Sequence, residues 1–250
     1  MDPHLQRLKK GAEALNLELP WDISHIRDEV LAYIEKAYPS GADRAIFYLQ
    51  VTRGEVERYH PQPEEYEPNM VMTIREFTGL EEEKYEEGVS TITVADDRWS
   101  KCHIKTIALL PNTLAKTKAL NNGAFDAIYI RDGFVMEGTH TNMFAVKDGT
   151  FLTPPATNYI LNGVTRREIF KVLDKEGLEW EEACFEKRDL YNMDEAFLSG
   201  TLIDVVPIVE VDDQQIGDGK PGEMTKKLMD LFQRHKKNKL KAKNKISVNT

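Results

Sequence analysis

The chain has 250 residues, 41% hydrophobic and 30% charged, which is enough apolar material for one large or two modest domains. Its net charge of −9 argues against a nucleic-acid surface. No apolar run approaches the roughly 18 residues of a membrane span, and the first residues lack the apolar core of a secretory leader. Cys102 and Cys184 provide neither a disulfide framework nor metal-ligand spacing, so no metal is expected and a cytoplasmic location is.

Leu5, Leu8, Ala12 and Leu15 recur at helical spacing and predict a helix over 4–15. Asp22 or Ser24 can cap a second helix running to Tyr38, with Ile26, Val30, Tyr33 and Ile34 inward. Residues 45–51 read as a strand. After Arg53-Gly54, segment 55–61 reads as extended, which would put Arg58 and His60 on one face. Both side chains can donate hydrogen bonds to a carboxylate, the arginine bidentately; a solvated edge strand is the plainer reading. Residues 70–77 alternate as a further strand. The acidic run 79–87 reads as an interdomain linker, giving a small N-terminal α/β domain over 1–79 and a larger domain over 80–250.

In the second domain, 90–96 is a strand. Lys105 follows, between Ile104 and Ile107 with Leu109 and Leu110 close behind, so it either snorkels to water or is held inside. Desolvation would lower its pKa and make the amine a nucleophile for carbonyls. A helix is expected over 113–123, ending on Gly123. Strand 126–130, the turn Arg131-Asp132-Gly133 and strand 134–136 form a hairpin that delivers Glu137 into Gly138-Thr139-His140-Thr141-Asn142. Strands at 143–146 and 151–153 follow. Gly163, Val164 and Thr165 then open a helix whose first amides can receive an anion. Short strands at 180–185 and 196–201 run on, the latter into a polar turn at Thr201. A hairpin over 205–216, a helix over 222–235 and a basic run over 236–250, read as a frayed solvated tail, complete the chain.

Taken together, three ordered motifs resemble the fold-type IV pyridoxal-phosphate enzymes over nearly the whole chain. These are Lys105-Thr106 followed by Leu114-Ala115-Lys116; Glu137 through Asn142; and residues 160–166, Ile-Leu-Asn-Gly-Val-Thr-Arg. The resemblance implies an α/β (α+β) two-domain fold with a barrel-like larger domain, a homodimer, and pyridoxal 5′-phosphate as cofactor. It implies that Lys105 bonds to the cofactor and then acts as base, and that Glu137 faces the pyridine nitrogen. It further implies that Arg7, Val164, Thr165 and Thr201 hold the phosphate. His4-Leu5-Gln6-Arg7-Leu8 is similar to the family's phosphate-arginine segment, which in relatives is preceded by strands and an aromatic active-site stretch. The chain is therefore expected to lack those N-terminal strands. Val51-Thr52-Arg53-Gly54 with Arg58 and His60 is similar to the D-amino-acid aminotransferase branch, where that pair binds the substrate carboxylate. The implied activity is amino transfer between a D-amino acid, such as D-alanine or D-glutamate, and a 2-oxo acid. The alternatives are a branched-chain aminotransferase or an aminodeoxychorismate lyase on the same fold, a non-catalytic remnant, or a plain binding module.

Overall fold

In the computed structural model, which describes residues 1–246, the chain opens on α1 (Asp2–Ala14) and α2 (Ile23–Ala37). The Asp22 carboxylate caps α2 by accepting from the His25 amide at 2.8 Å, filling a donor that the first helical turn leaves open. The amphipathic spacing of both helices buries Leu5, Ile26 and Val30 against Phe47, Leu49, Met70 and Met72. Those four lie on β1 (Ala45–Thr52) and β2 (Asn69–Glu76), an antiparallel pair running from Ala45↔Glu76 to Thr52↔Asn69. Residues 1–79, together with Ile104–Thr106, make the first of two compact units. Ile104 is buried, and a Cβ placed on Gly11 would touch it at 3.8 Å.

The extended strand expected around Arg58 and His60 does not form. Residues 53–68 carry no helix or strand, and both side chains are exposed. The segment is fastened by side chains instead of a ladder. Arg53 Nη2 donates to the Leu15 carbonyl at 2.5 Å, and Tyr66 Oη accepts from the Glu18 amide at 2.8 Å. Gly54, at φ 82°, sits where a Cβ would meet the Glu67 carbonyl oxygen at 2.0 Å, so only glycine lets the two ends of the loop pass.

The second unit begins at Leu80. The acidic run turns out to hold one helical turn, α3 (Glu83–Glu86). Then come β3 (Val89–Ala95), α4 (Leu110–Asn121), β4 (Asp126–Arg131), β5 (Phe134–Gly138), β6 (Asn142–Lys147) and β7 (Thr150–Thr153). The chain continues through α5 (Val164–Glu176), β8 (Trp180–Glu182), α6 (Lys187–Leu190), β9 (Glu195–Gly200), β10 (Asp204–Val211), β11 (Gln214–Gln215) and α7 (Glu223–Ile246).

Successive pairings β3–β4–β5–β6–β9–β10 return to β3 and close a barrel, which leaves no open edge within that ring. The β3–β4 and β3–β10 contacts are parallel; the other ring pairs are antiparallel. One cluster joins Ile128, Met143, Leu198 and Val206 from four of these strands. A second packs Phe144 and Phe197, stacked at 4.8 Å, with Ile169 and Leu173 of α5 and Leu228 and Phe232 of α7. Central strands apolar on both sides are what a helix-covered barrel wall demands.

The C-terminal lysines are not a frayed tail through 246. α7 runs to Ile246, and Lys236 and Lys239 pair with Asp204 and Glu168 of the barrel unit. The final four residues of the expected tail lie outside the described residues. Among those described, no helix is long and apolar enough to cross a membrane.

Candidate active site

The β4–β5 turn places Asp132 and Gly133 at φ 52° and 87°, a left-handed pair that matches the twist of the hairpin and fixes its register. β5 then ends on Glu137-Gly138. A Cβ on Gly138 would strike Thr141 Oγ1 at 2.0 Å and Asp126 Oδ2 at 2.8 Å, so glycine is needed for the chain to fold over Asp126. Thr139 and Thr141 donate their hydroxyls to the two oxygens of Asp126, at 2.5 and 3.0 Å. The loop is thereby pinned, and Asn142 returns opposite Glu137.

Glu137 is buried, 5% exposed, with both carboxylate oxygens engaged. Oε1 accepts from Arg98 Nη1 at 2.7 Å. Oε2 accepts from Asn142 Nδ2 and from the Leu161 amide, both at 3.1 Å. Burial pushes its pKa up to about 7, against the opposing pull of the Arg98 charge and the Leu161 amide. Arg98 is itself buried and lies over the Tyr129 ring at 4.0 Å. Its Nε and Nη2 donate to Asp96 at 2.8 and 3.0 Å, and Nη2 also reaches the Tyr159 carbonyl at 3.1 Å. Burial opposes the guanidinium charge, but Asp96 and Glu137 together hold its pKa above the usual arginine range. Asp96 also accepts from Arg131 at 3.1 Å. Two carboxylates and two guanidiniums thus form one network, with Glu137 at its end.

Asn142 links this carboxylate to the start of α5. A Cβ on Gly163, the residue before the helix, would meet Asn142 Oδ1 at 2.2 Å. No side chain caps α5, so its first amides, at Val164, Thr165 and Arg166, are left without a capping acceptor from the protein. The second unit therefore brings Glu137, Asn142, Val164 and Thr165 into one neighbourhood. A carboxylate suited to a ring nitrogen and uncapped amides suited to a phosphate are the donor set that pyridoxal phosphate requires, and the residues fit the group. Thr201 is exposed in the turn after β9, as the sequence placed it, with Leu202 beside it.

The first unit carries the remaining expected residues. Arg7 is half-buried on α1, and Lys105 is exposed on a segment without helix or strand. The apolar residues around Lys105 do not enclose it. Ile104 points into the core, but Ile107, Leu109 and Leu110 are themselves exposed. Of the two alternatives that those neighbours left open, a snorkelling or an enclosed amine, the exposed one is found. Sequence reasoning missed Arg98 and gave Asn142 no role. The run Asp96-Asp97-Arg98, three charges just past an apolar strand, was the available signal for the first.

The family model described as class IV amino-transferase matches residues 1–211. The D-alanine aminotransferase of Bacillus licheniformis is 36% identical over 238 residues, covering 93% of this chain and 81% of that protein. Its counterpart in Staphylococcus haemolyticus is 34% identical over 232 residues, with the same coverage. Among solved structures, the branched-chain amino acid aminotransferase of Escherichia coli superposes with a TM-score of 0.83 at 26% identity, over 91% of this chain and 76% of that one. The mixed α/β fold with its barrel agrees with this solved structure. The chain belongs to the class IV aminotransferases, pyridoxal-phosphate enzymes that act on amino acids and 2-oxo acids.

Proposed function

We propose that the chain transfers amino groups between a D-amino acid, D-alanine or D-glutamate, and a 2-oxo acid, as a D-amino-acid transaminase. The observation that carries this reading is Arg58 with His60, two exposed donors on the loop after Arg53-Gly54. Both D-alanine aminotransferases described above support it by their names. When bound, pyridoxal phosphate supplies the electron sink. Lys105 would anchor it and would supply the base for the substrate's Cα proton. Glu137 holds a proton on the ring nitrogen. Arg7, Thr201 and the amides of Val164 and Thr165 bind the phosphate, while Arg58 and His60 orient the substrate carboxylate.

A bidentate, charge-assisted contact to a carboxylate contributes roughly 1.5–3 kcal/mol. Arg58→Ala is accordingly expected to lower kcat/KM for D-alanine about ten- to a hundredfold. Initial rates with D-alanine, D-glutamate, L-leucine and aminodeoxychorismate, each at several concentrations, check both claims. A preference for L-leucine would replace this reading with a branched-chain aminotransferase, which the Escherichia coli structural neighbour favours.

The working form in this proposal is a cytoplasmic homodimer. Ile107, Leu110 and Leu114 are 67%, 70% and 62% exposed, and the last two are one helical turn apart on α4. Such a strip is covered at little cost by a second copy of the chain. Sedimentation at micromolar concentration should give a dimer, and Leu114→Lys should shift it toward monomer. A fully active monomer would contradict the dimeric form.

A further inference from the structure

The turn between β9 and β10 is held entirely from behind. Gly200 and Asp204 face each other across the strands, leaving Thr201, Leu202 and Ile203 as a three-residue connection. Asp204 closes it at φ 54°, a left-handed conformation that Asp and Asn tolerate better than most residues. The tip is exposed at Thr201 and Leu202, whereas Ile203 is buried and its carbonyl accepts from Tyr85 Oη at 3.1 Å. The Asp204 carboxylate accepts from Gln233 Nε2 at 3.0 Å and Lys236 Nζ at 2.5 Å, two side chains three residues apart on α7. α7 is anchored on both sides of this contact. Leu228, Leu231 and Phe232 sit in the core, and His235 and Lys239 donate to Glu168 on α5.

We infer that Asp204, gripped by Gln233 and Lys236, is a positioning residue for the cofactor's phosphate. The C-terminal helix thereby sets the geometry of the turn that offers Thr201. This rests on the reading that Thr201 binds phosphate. Without the grip, the turn keeps the Tyr85 contact to the Ile203 carbonyl and the Ile203 amide's bond to the Gly200 carbonyl, but loses its side-chain tie to α7, and the penalty falls on the phosphate end of the ligand only.

The test measures affinities of the cofactor-stripped full chain for pyridoxal phosphate and for pyridoxal, which lacks the phosphate, by tryptophan fluorescence. Lys236→Ala and Asp204→Asn should each lower the pyridoxal-phosphate-to-pyridoxal affinity ratio about two- to tenfold, the range of a partly exposed ion pair. Pyridoxal affinity itself should hold, and Lys236→Arg should restore the ratio. Thr201→Val should lower the ratio at least as much. If Thr201→Val lowers it while the Lys236 and Asp204 variants do not, the positioning role is overturned and the Thr201 reading stands. If Thr201→Val leaves it unchanged, the phosphate reading of the turn fails and takes the inference with it. An equal loss for both ligands would show a general structural role and overturn the proposal.

Discussion

Lys105→Ala is expected to abolish measurable amino transfer, a loss of more than about a thousandfold, because in the proposed reading one amine serves as both the covalent anchor and the proton-transfer base. Lys116 is not expected to replace it. Lys116 lies over the Phe125 ring at 4.5 Å, donates to the Phe125 carbonyl and stands 3.7 Å from Asp126, so its amine is committed within the second unit. Borohydride reduction of the loaded protein, followed by peptide mapping, should place the label on Lys105. A label on Lys116 or Lys101, or undiminished turnover in Lys105→Ala, would remove Lys105 from the role. The variant should keep its melting temperature in the cofactor-stripped state, since the Lys105 side chain is exposed while neighbouring Ile104 supplies the buried anchor of the segment.

What could be read from the sequence follows how locally each feature is encoded. The Glu137 hairpin was legible because alternation over 134–136 and the Asp132-Gly133 turn are settled within a dozen residues. α5 and its uncapped start were legible for the same reason. Arg98 was not, because its meaning depends on Glu137, 39 residues further on. The lysines of α7 looked like solvated charge, since their acceptors, Asp204 and Glu168, lie 32 and 71 residues back in the chain. Barrel closure through the parallel contacts of β3 is likewise a long-range fact with no local pattern. Arg58 and His60 misled in the opposite direction. Period-two spacing suggested a strand, but among the described residues the first unit's sheet holds β1 and β2 alone, and 55–61 pairs with neither. Glu137 and Asn142 lie in one contiguous motif, while Arg98, which holds Glu137 from the other side, comes from a distant position.

Glu137→Gln should lower kcat about a hundred- to a thousandfold, the usual cost of losing one preorganised electrostatic partner at a site of charge development. An amide can keep the hydrogen-bond geometry toward Arg98 but lacks the negative charge that, in the proposed reading, holds a proton on the ring nitrogen. The substitution also leaves Arg98 with Asp96 as its only carboxylate, and breaking a buried pair from one side is destabilising. The two effects separate in the triple variant Asp96→Asn/Arg98→Met/Glu137→Gln, which removes both carboxylates together with the guanidinium they share. There, melting temperature should recover toward wild type while kcat stays low. Recovery of kcat along with stability would show that Glu137 acts only as a structural partner of Arg98. The pH dependence supplies a second check. Burial holds Glu137 at about 7 in the folded chain against an ordinary 4.5, so folding takes up a proton at this group. Its contribution to stability is therefore fully present below pH 4.5 and lost as pH rises through about 7. Urea unfolding of the cofactor-stripped protein should show that decline, and Glu137→Gln, which has no proton to lose, should flatten it. An identical slope in both proteins would mean that the carboxylate is already ionised throughout this range, held so by Arg98.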